Sequence, residues 1–210
     1  MSLHPIKDPL ETITLRPATA ADAPALALVG AATFLEAFTW MLPGSDILAH
    51  AAKNHTPGAY LAYLAKPDTR ITLALTGPPI GLSGEPEAPV GYAMLTAPEL
   101  PTIDVLPTDI ELKRIYLFSR FRSAPVAHHP GLRPAQALMD ASIADAIALH
   151  RTRLLLGTHA NNLRAIAFYR RNGFTQAGTR TFQVGNQICD DLIFARPLYP
   201  RISPSPTLLH

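Results

Sequence analysis

The stretch from Asp109 to Thr158 constrains this chain most. Asp109 to Phe118 reads as a strand with Leu112, Ile115 and Leu117 in its apolar centre. Ala135 to His150 reads as a helix, with Leu138, Met139, Ile143 and Ile147 on or near one face and Pro134 suited to its first turn. Arg153 to Thr158 is a buried-type strand. A strand, a helix and a strand in one sheet form a parallel pair joined by a right-handed crossover. The strands that precede this unit read as antiparallel, and a helix and a strand hairpin follow it. The whole is an α/β fold with a mixed sheet.

Upstream, Thr12 to Arg16 alternates as a first strand. Thr19 to Phe38 has helical spacing, with Ala25, Leu28, Val29, Ala32, Phe34 and Leu35 largely on one side and start signals at Thr19 and Asp22. Pro43-Gly44 breaks it, and two helical stretches follow, about Asp46 to Lys53 and Pro57 to Ala65. Arg70 to Thr76 and Val90 to Thr96 are strands joined by a proline- and glycine-rich segment, 77–89, expected as an exposed hairpin loop. Downstream lie a helix over 162–172 and strands Thr175 to Val184 and Gln187 to Ala195, with Gly185-Asn186 as a two-residue turn. One domain over 12–198 is expected, with 1–11 and 199–210 as flexible tails.

A chain of 210 residues, 48% apolar and 16% charged, has enough material for one globular core. A net charge of +2 gives no electrostatic footprint for nucleic acid or acidic membranes. Cys189 is the only cysteine, so no intrachain disulfide or cysteine zinc site forms; a half-buried strand residue is expected. His128 and His129 are adjacent and no metal-ligand spacing occurs, so no metal is expected. Met1–Leu10 lacks an apolar run, and no stretch approaches 18 uninterrupted apolar residues. A cytoplasmic protein is expected.

Residues 161–174 carry the most chemistry. Asn161 or Asn162 can N-cap a short helix, Gly173 can take the left-handed turn past its end, and Phe174 can fold back. The pattern Asn-x-x-Ala-x-x-Phe-Tyr-x-x-x-Gly-Phe resembles the cofactor-flanking helix of GNAT superfamily N-acetyltransferases. The element order is similar to theirs over residues 12–198. The resemblance implies a GNAT fold, in which two central parallel strands splay, and acetyl-CoA as acyl donor. It also implies that Tyr169 protonates the departing sulfur, that Asn162 meets the pantetheine arm or an ordered water, and that the backbone of Ile115, Tyr116 and Leu117 pairs with pantetheine amides.

Glu111 stands where related enzymes often carry an acidic residue acting through water; alternatively it is a surface carboxylate paired with Lys113 or Arg114. Glu36 is a candidate for binding the acceptor amine, or an exposed helix-face carboxylate. His159 is placed to line the acceptor side. Trp40 and Tyr60 are candidates for its wall, with packing of the first helices as the other role for Trp40.

The pyrophosphate loop departs from the family pattern Gln/Arg-x-x-Gly-x-Gly/Ala. Between Phe118 and Leu138 the chain carries an insertion of several residues. One register opens on Arg122 and closes on Gly131-Leu132. The other closes on Ala135, with Arg133 in place of a glycine and Pro130 in place of the opening residue. Pro125, Pro130 and Pro134 lack N–H groups, and Arg122 and Arg133 are candidates to compensate with charge-assisted bonds.

The expected activity is direct acetyl transfer from acetyl-CoA to a primary amine of a small molecule. Thr33–Phe38, Glu111-Leu-x-Arg-Ile-Tyr and Phe182-x-x-Gly-x-x-x-x-Asp-Asp191-Leu-Ile resemble the bacterial group that includes polyamine acetylators. The alternative is a GNAT-fold binding or regulatory protein whose altered 119–135 loop has weakened or lost acetyl-CoA binding. The expected partner is a small amine, with a homodimer as the protein association in view.

Overall fold

The computed structural model of the protein describes residues 12–77, 87–100, 102–129, 131–184 and 187–198. Strands β1 (Ile13–Pro17), β2 (Arg70–Thr76), β3 (Ala88–Thr96) and β4 (Asp109–Leu117) run antiparallel, each beside the next. β5 (Arg153–His159) lies parallel to β4, and β6 (Thr175–Val184) and β7 (Gln187–Pro197) complete a seven-stranded sheet in the order β1-β2-β3-β4-β5-β7-β6. The expected parallel pair and the α/β mixed sheet are therefore present. Residues 1–11, 78–86, 185–186 and 199–210, where the tails, most of the hairpin loop and the Gly-Asn turn were expected, lie outside the described residues.

Helices α1 (Ala23–Phe38), α2 (Gly44–Asn54) and α3 (Pro57–Leu64) pack beside one another, with α1 and α3 against one face of the sheet. Leu26, Val29 and Tyr60 pack there with Leu73, Tyr92 and Met94. α4 (Pro134–Ala148) and α5 (Leu163–Arg171) cover the other face, where Leu138, Met139, Ile166 and Tyr169 meet Ile110, Leu154 and Phe194. The segment Ala20–Phe38, 19 residues with mean hydropathy 1.3, is long and apolar enough to cross a membrane by length and composition. Here its Leu26 and Val29 are buried in the sheet-facing core.

The inward face of α1 differs from the expected one. Val29 and Phe34 are buried as expected, but Leu28 and Leu35 are exposed, whereas Leu26, Gly30 and Thr33 are buried. The helix is apolar nearly all round, so hydrophobic periodicity selects no face. Close approach selects it instead: a Cβ on Gly30 would collide with the Tyr60 hydroxyl and sit 2.5 Å from His55 Nδ1. Thr33 satisfies its hydroxyl by donating to the Val29 carbonyl at 2.5 Å.

Candidate functional site

β4 and β5 pair over only three steps, Asp109 with Arg153, Ile110 with Leu154 and Glu111 with Leu155. Beyond Glu111 they part. β4 continues beside β3, and β5 beside β7 as far as the His159–Asp191 pair. Lys113 has no partner in β3, because Met94 faces Arg114 while Leu95 faces Leu112. This bulge keeps Leu112, Ile115 and Leu117 on the α4 side and turns Tyr116 toward α1. A cavity of about 980 Å³ opens between the parted strands. It is at the upper end of small-molecule sites, about 300–1,000 Å³.

α5 supplies the tyrosine. Asn162 caps the helix by accepting the Ala165 N–H at 3.2 Å, which decides between the two asparagines. Gly173 takes the left-handed turn with φ 79°, and the Phe174 N–H donates to the Tyr169 carbonyl at 3.1 Å. The Tyr169 ring packs edge-on to Phe174, and its side chain lines the cavity. Burial, and secondarily the Tyr116 phenol, push the Tyr169 hydroxyl well above its ordinary pKa. Tyr169 is therefore a firmly neutral O–H.

The inserted loop runs away from the cavity. The Ile13 N–H donates to the Pro125 carbonyl and the Ala127 N–H to the Ile13 carbonyl, both at 2.8 Å, so Val126 bridges to β1 and is buried there. The chain then reverses through His128, whose φ is 62°. Gly131, Leu132, Arg133 and Ala135 return to the cavity wall beside Arg122. Residues from both sequence registers thus reach one place. Pro134 starts α4, and the Ala135 and Gln136 N–H groups, the next in its first turn, have no described backbone acceptor. Arg133 donates to the Ser123 carbonyl at 2.7 Å, which ties the loop to itself. The Arg122 side chain, half-buried, makes no hydrogen bond among the described residues; burial, then the nearby Arg164, lower its pKa. Arg122, Arg164 and Arg171 form a cationic rim on this side.

Glu111 is not a surface carboxylate. It is 2% exposed, accepts the Glu99 N–H at 2.8 Å, and lies 4.0 Å from Lys113 Nζ, which pairs with Glu99 at 2.6 Å. Glu36 is exposed and accepts the Ser119 N–H and O–H at 3.0 and 2.7 Å, linking α1 to the end of β4. His159 accepts the Asn161 N–H through Nδ1 at 3.1 Å. Among all the residues singled out, Tyr169, Glu111, Ile115, Tyr116, Leu117, Arg122, Gly131, Leu132, Arg133, Ala135, Asn162, Glu36 and His159 share the one cavity.

Trp40 does not. It is 63% exposed, and its indole N–H donates to the Ala37 carbonyl at 2.6 Å. It lies past the end of α1, so it neither walls the cavity nor packs the helices together. Tyr60 is fully buried behind the wall rather than in it, bonded to His55 and Tyr92. Cys189 is buried, not half-buried, beside Phe34, Leu42 and Ile47.

Sequence reasoning missed several lining residues. Asp191 pairs with Arg180 at 3.1 Å, and the Arg180 guanidinium lies over Gly157, where a Cβ would be 2.6 Å from it. The Gly185-Asn186 turn was the available signal, since it sets position 180 opposite 191. His50, His55, Tyr63 and Arg114 from the α1–α3 side were also missed. Among the described residues no cluster of histidine, cysteine or carboxylate side chains is arranged to hold a metal.

Comparison with known proteins agrees with this geometry. The sequence profile of the Acetyltransferase (GNAT) family matches residues 60–174. An uncharacterized N-acetyltransferase of Mycobacterium tuberculosis is 30% identical over 177 residues, covering 84% of this chain and 98% of that protein. A counterpart in Mycobacterium bovis matches equally. In fold, the chain is similar to the PaiA N-acetyltransferase of Thermoplasma acidophilum in complex with coenzyme A. That match has a TM-score of 0.64 at 16% identity, over 89% of this chain and 99% of the other. A GCN5-related N-acetyltransferase of Rhodopseudomonas palustris gives 0.62 at 18% identity, over 90% and 98%.

Proposed function

Since the chain belongs to the GNAT family of acetyltransferases and takes acetyl-CoA as its donor, we propose that it acetylates a primary amine of a small molecule by direct transfer. The observation that carries this is the parting of β4 and β5 beside Tyr169, with Arg122, Arg164 and the first turn of α4 lining the same cavity. The free β4 edge suits an extended pantetheine arm, as an added strand would. Arg122, Arg164 and the first turn of α4 suit the phosphates.

The amine enters as an ammonium with a pKa of about 10 and must lose a proton to attack. Glu111 takes that proton through water, its second oxygen being unengaged by the Glu99 N–H. The nitrogen bonds to the thioester carbonyl carbon, and a β4 backbone N–H holds the oxyanion. The C–S bond then breaks. Tyr169 donates its O–H to the sulfur as charge develops there; so weak an acid gives up its proton only with cleavage, not before it. The nitrogen gives up its second proton as the intermediate collapses, and that proton returns through solvent to the Tyr169 oxygen, so the products are the N-acetylamine and coenzyme A thiol with the phenol restored.

The alternative of a fold without catalysis was motivated by the 119–135 loop. That motive weakens once the insertion lies along β1 and leaves the cavity open. A calorimetric titration with acetyl-CoA, followed by thiol release over a panel of amines, amino acids and peptides, tests the proposal. Binding with turnover of a small amine is expected. Turnover of peptides alone, or no binding at millimolar donor, overturns it.

A further inference from the structure

The α1–α3 side of the cavity holds a cation with no carboxylate in ion-pair contact among the described residues. Arg114 is 9% exposed, and its Nη1 has no hydrogen-bond partner. No described carboxylate lies within ion-pair distance of it, whereas its neighbour Lys113 has Glu99 and Glu111. Elsewhere along these strands Arg153 has Asp109 and Arg180 has Asp191. Around Arg114 there are rings instead: its Cζ is 5.4 Å from the Tyr60 centroid and 5.5 Å from that of Tyr63. Tyrosine faces soften the loss of water but do not replace an opposite charge.

A second polar atom points the same way. His55, another lining residue, bonds Tyr60 through Nδ1, and its Nε2 is buried without a partner. His50 and His55 both stay neutral at ordinary pH, held at about 4 and about 3, chiefly by burial and then by Arg114. They add no competing positive charge.

We propose that the acceptor is an aminocarboxylate, whose carboxylate pairs with Arg114 while its amine faces the parted strands. The planar guanidinium fork matches a carboxylate at two points. His55 Nε2 is a further contact for the same group. The amine end meets Glu111 and Tyr169, which line the same cavity. This rests on the acetyl-transfer reading above. It disfavours polyamines, because a chain carrying only ammonium groups would bring a second cation against a buried one.

Thiol release with acetyl-CoA is measured on matched pairs, each common amino acid beside its carboxamide, with putrescine and spermidine alongside. The best acceptor is expected to carry a carboxylate and to exceed its carboxamide by about tenfold or more in kcat/KM. Arg114→Gln is expected to abolish that preference by raising KM for the carboxylate partner, with acetyl-CoA affinity by calorimetry unchanged. Arg114→Met is expected to melt at or above the wild-type temperature, since it removes a buried unpaired charge. Equal turnover of the carboxamides or polyamines, an unchanged preference in Arg114→Gln, or a clearly lower melting temperature for Arg114→Met overturns the proposal. A thermal-shift titration with the same amino acids and no acetyl-CoA separates the two claims. If acetyl-CoA fails to bind, the transfer reading falls. A rise in melting temperature with carboxylates, absent in Arg114→Gln, still supports the Arg114 assignment, and no rise with any of them overturns it.

Discussion

Asp109 and Arg153 face each other at the first paired step of β4 and β5, and their side chains close a two-point ion pair of 2.9 and 2.5 Å. The Asp109 side chain is fully buried and also accepts the Leu106 N–H at 2.7 Å. Two residues further on, past Glu111 and Leu155, the strands part. The clamp therefore fixes the closed end of the cleft from which the site opens.

Asp109→Asn should cost about 3 kcal/mol of stability, because it leaves Arg153 and its neighbours without the charge they are built around. Arg153→Met in the same background should recover part of that loss. Urea denaturation midpoints of the single and double variants check it; additive losses would show that the two side chains are not coupled.

Glu111→Gln should lower kcat/KM at pH 7 by about 10²-fold, and the deficit should shrink as pH rises toward the amine pKa, where the acceptor loses its own proton. The pH–rate profile is the measurement. A constant deficit at every pH would assign Glu111 to anchoring the Glu99 N–H alone.

Arg122→Gln and Arg164→Gln should each weaken acetyl-CoA binding by about tenfold, with little effect on acetyl-pantetheine, which lacks the phosphates. Added salt should narrow the gap between wild type and variants. Calorimetric titrations with both thioesters check it, and equal losses on the two donors would place these arginines away from the phosphates.

The two histidines set a pH dependence of stability. Their ordinary value is 6.5, and in the fold they sit at about 4 for His50 and about 3 for His55. Between those values the unfolded chain binds protons that the folded chain refuses. Stability is thus complete above pH 6.5 and falls as pH drops through the window, by up to about 1.4 kcal/mol per pH unit for each histidine. Denaturation at pH 7, 6 and 5 should show this slope, reduced in His50→Gln.

Much of this architecture was legible in the chain, for identifiable reasons. Strand and helix periods placed every element within a few residues, and the strand–helix–strand order dictated the parallel pair. The apolar positions Leu112, Ile115 and Leu117 even carried the bulge: a spacing of three followed by two cannot lie on one face of a regular strand. What stayed hidden depended on contacts between distant segments. The face of α1 was chosen by Gly30 meeting Tyr60 and His55, not by hydrophobicity. The path of the insertion was set by Val126 bridging to Ile13, more than 100 residues away. Arg114 was invisible because charge in a sequence does not reveal whether its partner is absent.

The central claim is that the cleft between β4 and β5 holds the thioester beside the Tyr169 hydroxyl. Single-turnover thiol release by Tyr169→Phe, measured together with its affinity for acetyl-CoA, tests this most directly. The account predicts a rate reduced by about 10²-fold with donor affinity essentially unchanged. An unaltered rate of thiol release would contradict it.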